Sequence, residues 1–117
     1  METTQAIQAL SALAQESRLS IFRLLIAAGR DGLPAGVIGE KLDLPPATLS
    51  FHLAGLTRAG LAQSRQDGRF VIYSAHYENM NRLLAFLTEN CCSGSACQPQ
   101  AAKGAQDETI PRARRRA

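Results

Sequence analysis

Residues 35–75 read AGVIGEKLDLPPATLSFHLAGLTRAGLAQSRQDGRFVIYSA, and this segment contains two apolar patterns of helical period followed by two strand-like runs. Apolar residues recur at helical spacing over about 35–42 and again over about 46–58, with a proline-containing turn at 43–46 between them. A short helix, a tight turn and a longer helix form the helix-turn-helix pattern. The residues of the longer helix predicted to face the core are Leu49, Leu53 and Leu56.

The period of the apolar residues changes after the longer helix. Residues 61–65 and 70–74 are short strand-like runs, and Asp67-Gly68 lies between them. This dipeptide favours a type I′ hairpin, in which both central residues need a positive φ. A hairpin that directly follows a recognition helix is a wing, so the stretch predicts a winged helix-turn-helix.

Helical spacing also occurs on both sides of this stretch. Two helices are predicted before it, over about 6–14 and from Glu16-Ser17, where Ser17 is the expected cap, to Gly29; a last helix is predicted over about 76–90. The predicted fold class is mainly α with a β-hairpin wing, in the order of four helices, two strands and a fifth helix. One domain is expected over 1–97, followed by a disordered basic tail over 98–117.

The net charge of +3 comes from the tail, because basic and acidic side chains balance over 1–97. Clustering is therefore the better guide to a nucleic-acid partner, and three arginines lie close together around the predicted wing. No apolar run is long enough to span a membrane, and the N-terminus lacks the pattern of a secretion signal. We expect a cytoplasmic protein without a membrane partner.

The outward face of the longer helix carries short polar side chains that can reach base edges in a major groove, and a phenylalanine that can contact a thymine methyl group. Arginines at the helix end and in the wing can contact phosphates or the minor groove. The side chains expected to contact DNA are Thr48, Ser50, Phe51, His52, Arg58, Arg65 and Arg69. The alternative is a solvated face with scattered arginines, with His52 hydrogen-bonded inside the domain.

All three cysteines of the chain lie in one short segment, at Cys91, Cys92 and Cys97. In a reducing compartment such a cluster is a set of ligands or a redox group rather than a structural disulfide. Trivalent arsenic and antimony are soft and take three thiolates, whereas zinc prefers four ligands in a tetrahedron. Three thiols without a nearby histidine therefore favour As(III) or Sb(III).

Three segments together resemble the ArsR/SmtB family of winged helix-turn-helix repressors: LAQESRL at 13–19, LSFHL at 49–53 and RQDGR at 65–69. The resemblance covers roughly 5–97. It implies a homodimer held by its first and last helices on a two-fold symmetric operator. Ligand binding would then release the DNA and switch on a resistance operon that includes the gene of the repressor itself.

The cysteine cluster resembles that of the arsenite-binding subset of this family, which has a C-terminal three-cysteine site. The resemblance implies As(III) or Sb(III) as inducer and no catalytic cofactor. Two other metal sites of the family lack ligands here. The zinc-type site has only His76 and Glu78 at the start of the last helix, with no histidine over 81–90, and the cysteine site near the recognition helix has no cysteine over 37–50.

The sequence leaves three alternatives to an As(III) or Sb(III) sensor: a methylarsenical sensor, a redox switch and a DNA-binding protein without an inducer. Cys91 and Cys92 alone could bind a methylated trivalent arsenical, or Cys97 could pair with one of them in a redox switch. An enzyme is not expected, because there is no Cys-x-x-Cys motif and no phosphate-binding loop. The third alternative is a DNA-binding protein without an inducer, which would use the basic tail at 112–116 for non-specific contacts.

Overall fold

The computed structural model describes residues 1–94, and within them the predicted mainly α fold with a β-hairpin wing is confirmed. The elements in chain order are α1 (Thr3–Leu13), α2 (Glu16–Ala28), β1 (Leu33–Pro34), α3 (Ala35–Leu42), α4 (Pro46–Arg58), β2 (Ala62–Asp67), β3 (Phe70–Ala75), α5 (Tyr77–Leu87) and a 3₁₀ turn (Cys91–Gly94). The chain divides into two compact units, Met1–Leu84 and a second that begins at Ala85. The predicted tail lies outside the described residues.

The core of the first unit is centred on α2. Ile21 and Leu25 of this helix are fully buried, and Leu53 and Leu56 of α4 are buried with them. Burying such aliphatic side chains is worth about 1.5–3 kcal/mol each relative to exposure. The prediction that the leucine stripe of α4 faces the core is therefore confirmed.

The helix-turn-helix consists of α3, a short turn and α4. Asp43 ends α3 in the left-handed region with φ 55°, and the backbone amide of Leu44 donates to the carbonyl of Gly39 at 3.0 Å. Pro46 is the first residue of α4, where its missing amide hydrogen leaves no hydrogen bond unmade. Local chain chemistry therefore sets the turn that the sequence predicted.

The sheet has three antiparallel strands in the order β1-β3-β2, and the sequence did not predict β1. Two residues are too few to show an alternating pattern, and β1 exists because Leu33 pairs with Tyr73. Gly32, directly before β1, has φ 73°, and a Cβ atom there would collide with the backbone carbonyl oxygen of Tyr73. A glycine is therefore required at this position.

The wing hairpin differs from the predicted turn type. Asp67 pairs with Phe70, so the two loop residues are Gly68 and Arg69 rather than Asp67 and Gly68. Gly68 has φ 62°, whereas Arg69 is not among the residues with positive φ. A glycine in the first loop position with positive φ is the type II′ pattern, so the type I′ prediction is wrong.

Helix caps bring one further correction. Gln15, not Ser17, caps α2, because its Oε1 accepts a hydrogen bond from the backbone amide of Arg18 at 2.9 Å. Gly29 ends α2 with φ 83°, as predicted.

No helix in the described part of the chain is long and apolar enough to cross a membrane.

The second unit, as far as it is described, continues from the last residues of α5 into the 3₁₀ turn. The backbone amide of Cys91 donates to the carbonyl of Thr88 at 3.0 Å. Asn90 and Cys92 have φ values of 60° and 51°, which place both in the left-handed region. The helix therefore ends before the first cysteine.

Candidate nucleic-acid interface and thiol cluster

One face of α4 is exposed and carries three of the predicted DNA-contacting residues. Thr48 and Ser50 are exposed, and Phe51 is 65% exposed. A phenylalanine so open to water is unusual on a core helix, since burying it would stabilise the fold. The structure thus presents these side chains together on the second helix of the helix-turn-helix, as the sequence predicted.

His52 lies inside the domain rather than on the outward face of α4, where the sequence predicted it. Its side chain is only 8% exposed, and its Nδ1 lies 3.4 Å from Nη1 of Arg18. Residue 52 follows the buried Leu49 by three positions, and residues at that spacing share a helix face. His52 therefore belongs to the leucine stripe, and the structure gives it a packing role.

Arg18 connects His52 to the end of α1. Its Nε donates to the carbonyl of Ala12 at 2.7 Å, and Ala12 belongs to the last turn of α1. The Phe51 ring meets the His52 ring edge-on, with centroids 5.4 Å apart. The Arg18 side chain thus links the recognition helix to the end of α1, whereas the ring contact lies within α4 itself.

Arg58 lies at the C-terminal end of α4, about 15 Å along the helix axis from Thr48 at the usual rise per residue. It is exposed and lines a polar cavity of about 410 Å³, together with residues of α1 and α5. The other side chains of this cavity include Gln5, Gln8, Asn79 and Arg82. A phosphate contact by Arg58 stays a prediction.

The two wing arginines occupy different levels of the hairpin. Arg69 is exposed in the loop at the tip, whereas Arg65 pairs across the ladder with Ile72, nearer the base of the hairpin. Nη2 of Arg65 donates to the backbone carbonyl of Asp31 at 2.9 Å, which holds the side chain against the turn after α2. Only Arg69 therefore has the position at the wing tip that the sequence suggested for both.

Phe70 was missed by sequence reasoning. It is 56% exposed at the start of β3, beside Arg69, although it shares strand parity with the buried Ile72. The reason is that the wing extends beyond the core, so the inward face of the sheet reaches solvent near its tip. The clue in the sequence is an aromatic residue directly after the hairpin loop.

The start of α5 carries a small charged group. Nδ1 of His76 accepts a hydrogen bond from the backbone amide of Asn79 at 3.2 Å and so caps the helix. Glu78 lies 3.4 Å from Arg30, and its pKa is lowered, first by its own backbone amide and then by the positive charge of Arg30. These contacts account for His76 and Glu78 without a metal.

Two of the three predicted sulfur ligands lie within the described residues. Cys91 is half-buried, while Cys92 is exposed and disulfide-bonded. Their Sγ atoms are 3.7 Å apart. Cys97 lies outside the described residues, and over the described part no group of three potential metal ligands is found. The structure therefore describes part of the predicted site.

Comparison with known proteins supports the reading of the fold. A helix-turn-helix domain family matches residues 13–65. The uncharacterized HTH-type transcriptional regulator YceK of Bacillus subtilis is 42% identical over 62 residues, which are 53% of this chain and 61% of YceK. The HTH-type transcriptional regulator YgaV of Escherichia coli is 32% identical, over 75% of this chain and 87% of YgaV.

Two further similarities bear on the family. The ArsR protein of Halobacterium salinarum, named as a candidate repressor of an arsenical resistance operon, is 41% identical over 55% of this chain and 49% of its own length. The solved structure of HlyU from Vibrio cholerae matches with 30% identity and a TM-score of 0.62, over 80% of this chain and all of that chain. A structure of reduced HlyU from the same organism matches with 31% identity, a TM-score of 0.58 and coverage of 82% and 93%. HlyU of this species is named a transcriptional activator.

The exposed face of α4, the wing and these similarities agree with one another. The chain belongs to the ArsR/SmtB family of winged helix-turn-helix transcriptional regulators.

Proposed function

We propose that the protein is a homodimeric repressor that binds a two-fold symmetric operator and is released when As(III) or Sb(III) binds Cys91, Cys92 and Cys97. The DNA-binding part of the proposal rests on the exposed face of α4 beside the wing. Ser50 and Thr48 would meet base edges, and Arg69 at the wing tip would contact the backbone or minor groove.

The dimer is supported by apolar side chains on the surface of α1. Ala6 and Ala9 are buried against the domain, whereas Ile7 is 57% and Leu10 is 42% exposed on the same helix. On α5, Leu84 is 47% exposed. Apolar surface of this kind is typical of an interface between subunits. Two copies would then present two recognition helices to half-sites about one helical turn of DNA apart.

The single observation that carries the metalloid proposal is the 3.7 Å spacing of the Cys91 and Cys92 sulfurs. Two sulfurs bound to one ion at about 2.3 Å each lie no more than about 4.6 Å apart, so both thiolates can reach one ion once Cys92 is reduced. The third thiolate would come from Cys97, which follows closely in the sequence. Because zinc prefers a fourth ligand, this donor set favours a three-coordinate soft ion.

The link between ligand and DNA is a coupling free energy. If the metalloid weakens operator affinity, the operator must weaken metalloid affinity by the same factor. Repression rather than activation is proposed because of the named arsenical role of the Halobacterium relative, and transcription in vitro with and without the protein tests that sign. The three thiols must be reduced for this ligand set to form.

The test is a fluorescence-anisotropy titration of reduced protein on DNA from upstream of its own gene. The complex is then challenged with arsenite, antimonite, methylarsenite and zinc in parallel. Release by arsenite and antimonite, with zinc inactive, is the expected result. Release by methylarsenite alone would favour a site of two cysteines, and release by none of them would contradict metalloid sensing.

A redox-responsive repressor is the second candidate, and the disulfide-bonded state of Cys92 favours it. The similarity to HlyU adds support, because one of its solved structures is described as the reduced protein. In this reaction two thiols and one hydrogen peroxide molecule give one disulfide and two water molecules. A peroxide challenge in the same anisotropy assay distinguishes the candidates. A redox-responsive repressor is released from DNA by peroxide, and dithiothreitol restores its binding without any metalloid.

A further inference from the structure

A polar cavity of about 320 Å³ lies where the turn after α2 meets the sheet of the wing. The residues that line it are Arg30, Gln63, Ser64, Arg65, Ser74 and Ala75. Two guanidinium groups face this space, and no carboxylate residue is among the lining residues. We propose that this cavity binds a phosphate-class oxyanion.

The sheet register brings three polar residues of the cavity onto one face, whereas Ser64 pairs with Tyr73 and lies on the other face. Gln63 pairs directly with Ser74, and Arg65 pairs directly with Ile72. Directly opposed residues in an antiparallel ladder share a face, and so do residues two apart in one strand. Ser74, Gln63 and Arg65 therefore project to the same side, the side on which Ile72 enters the core.

Ser74 is the residue that points most clearly to a ligand. Its side chain lines the cavity, yet the residue is only 6% exposed. Within the residues that the structure describes, its hydroxyl group has no hydrogen-bond partner. Buried hydroxyl groups in native proteins nearly always have one, and a bound oxyanion would accept this hydrogen bond.

Both arginines are held in place by contacts that leave donors available. Arg65 uses Nη2 for the Asp31 carbonyl, and the guanidinium of Arg30 lies 4.9 Å from the centre of the Tyr77 ring. Nη1 of Arg30 is also 3.4 Å from Glu78, but both side chains of this pair are more than half exposed, so the pair is weak. Each guanidinium has five N–H donors, and paired donors of this kind suit an oxyanion.

The oxyanion has two sources with the same chemistry. One is a phosphodiester of DNA beside the wing, and this source rests on the proposed DNA-binding function. The other is free inorganic phosphate, which would bind without DNA. The variants Ser74→Ala and Arg30→Gln remove one donor group each, and Arg23→Gln on the exposed side of α2 is the matched control.

In the first arm, the full chain is titrated with sodium phosphate at constant ionic strength and followed by calorimetry. If free phosphate is the ligand, the unmodified protein binds it saturably. Ser74→Ala then weakens binding about fivefold, as expected for one neutral hydrogen bond, while Arg23→Gln has no effect. Circular dichroism checks that each variant is folded.

In the second arm, binding to a random-sequence duplex is measured as a function of salt. If DNA supplies the phosphate, Arg30→Gln lowers the salt slope by about one, and Ser74→Ala weakens binding about fivefold. An effect in either arm supports the site and identifies its source. If neither variant changes phosphate or DNA binding, the oxyanion site is refuted. If the unmodified protein does not bind DNA at all, the proposed DNA-binding function is refuted, and the phosphate titration of the first arm alone tests the oxyanion site.

Discussion

The contact between Arg18 and His52 explains how the recognition helix is held on the core. Arg18 donates to the end of α1 through Nε and lies beside the buried imidazole of α4 through Nη1. One side chain thus joins three helices. The buried position of His52 differs from the outward position that the sequence predicted for a residue that contacts bases.

Replacing Arg18 tests that role. Arg18→Ala removes a 2.7 Å charged hydrogen bond in a half-buried site, so we expect it to lower the free energy of unfolding by about 2 kcal/mol. The measurement is urea denaturation followed by circular dichroism. Arg23→Ala, an exposed arginine of the same helix, should change stability by no more than about 0.5 kcal/mol. Equal effects of the two variants would refute the bracing role.

Replacing Ser50 tests whether the exposed face of α4 contacts the operator. Ser50→Ala should weaken operator binding about fivefold without changing stability, because it removes one hydrogen bond to DNA from a solvated side chain. Operator anisotropy measures the change. Ser11→Ala, exposed on α1, serves as control and should leave the affinity unaltered. An unchanged affinity in Ser50→Ala would remove this residue from the interface.

The elements show where sequence periodicity is sufficient and where it fails. Apolar spacing and turn residues predicted α2, α3 and α4, because their stripes are long enough to show a helical period. They could not predict β1, since a two-residue strand exists only through its pairing with β3. The hairpin loop was misread because Asp67-Gly68 fits a type I′ turn locally, whereas the pairing of Asp67 with Phe70 moves the loop by one residue.

Gly32 tests the role of the backbone before β1. Gly32→Ala puts a methyl group against the carbonyl of Tyr73 at φ 73°, so we expect a loss of at least about 1 kcal/mol and a weakened β1. The matched control is Gly36→Ala in α3, where nothing lies within 4 Å of the added Cβ. This control should be neutral or stabilising by up to about 1 kcal/mol. Thermal unfolding of both variants measures the two stability changes, and equal changes would contradict the special requirement for glycine at position 32.

The exposed apolar residues of α1 support the expectation that the protein is a homodimer. Ile7→Glu places a charge on the proposed interface, and we expect it to convert the dimer to a monomer and to weaken operator binding. Analytical ultracentrifugation measures the mass. Gln8→Glu adds the same charge at an exposed position of the same helix, about 100° around the helix axis from Ile7, and should stay dimeric. A dimer of Ile7→Glu with full operator affinity would place the interface elsewhere.

The candidate sites were predictable to different degrees. The polar face of α4 followed from the leucine stripe, and the cysteines were evident from their clustering. The division of labour between Arg65 and Arg69 was not predictable, because it depends on the ladder register and on the carbonyl of Asp31. Ser74 was also missed, since a serine in a strand gives no sign of burial in the sequence alone.

Metalloid-driven release of DNA by three thiolates requires every cysteine of the cluster, so single cysteine variants test it. The reduced operator complexes of Cys91→Ser, Cys92→Ser and Cys97→Ser are titrated with arsenite and followed by anisotropy, with Ser93→Ala as control. We predict that each cysteine variant binds the operator normally but is no longer released, whereas the control is released like the unmodified protein. Intact arsenite-driven release in any one of the three cysteine variants would contradict the three-thiolate sensor.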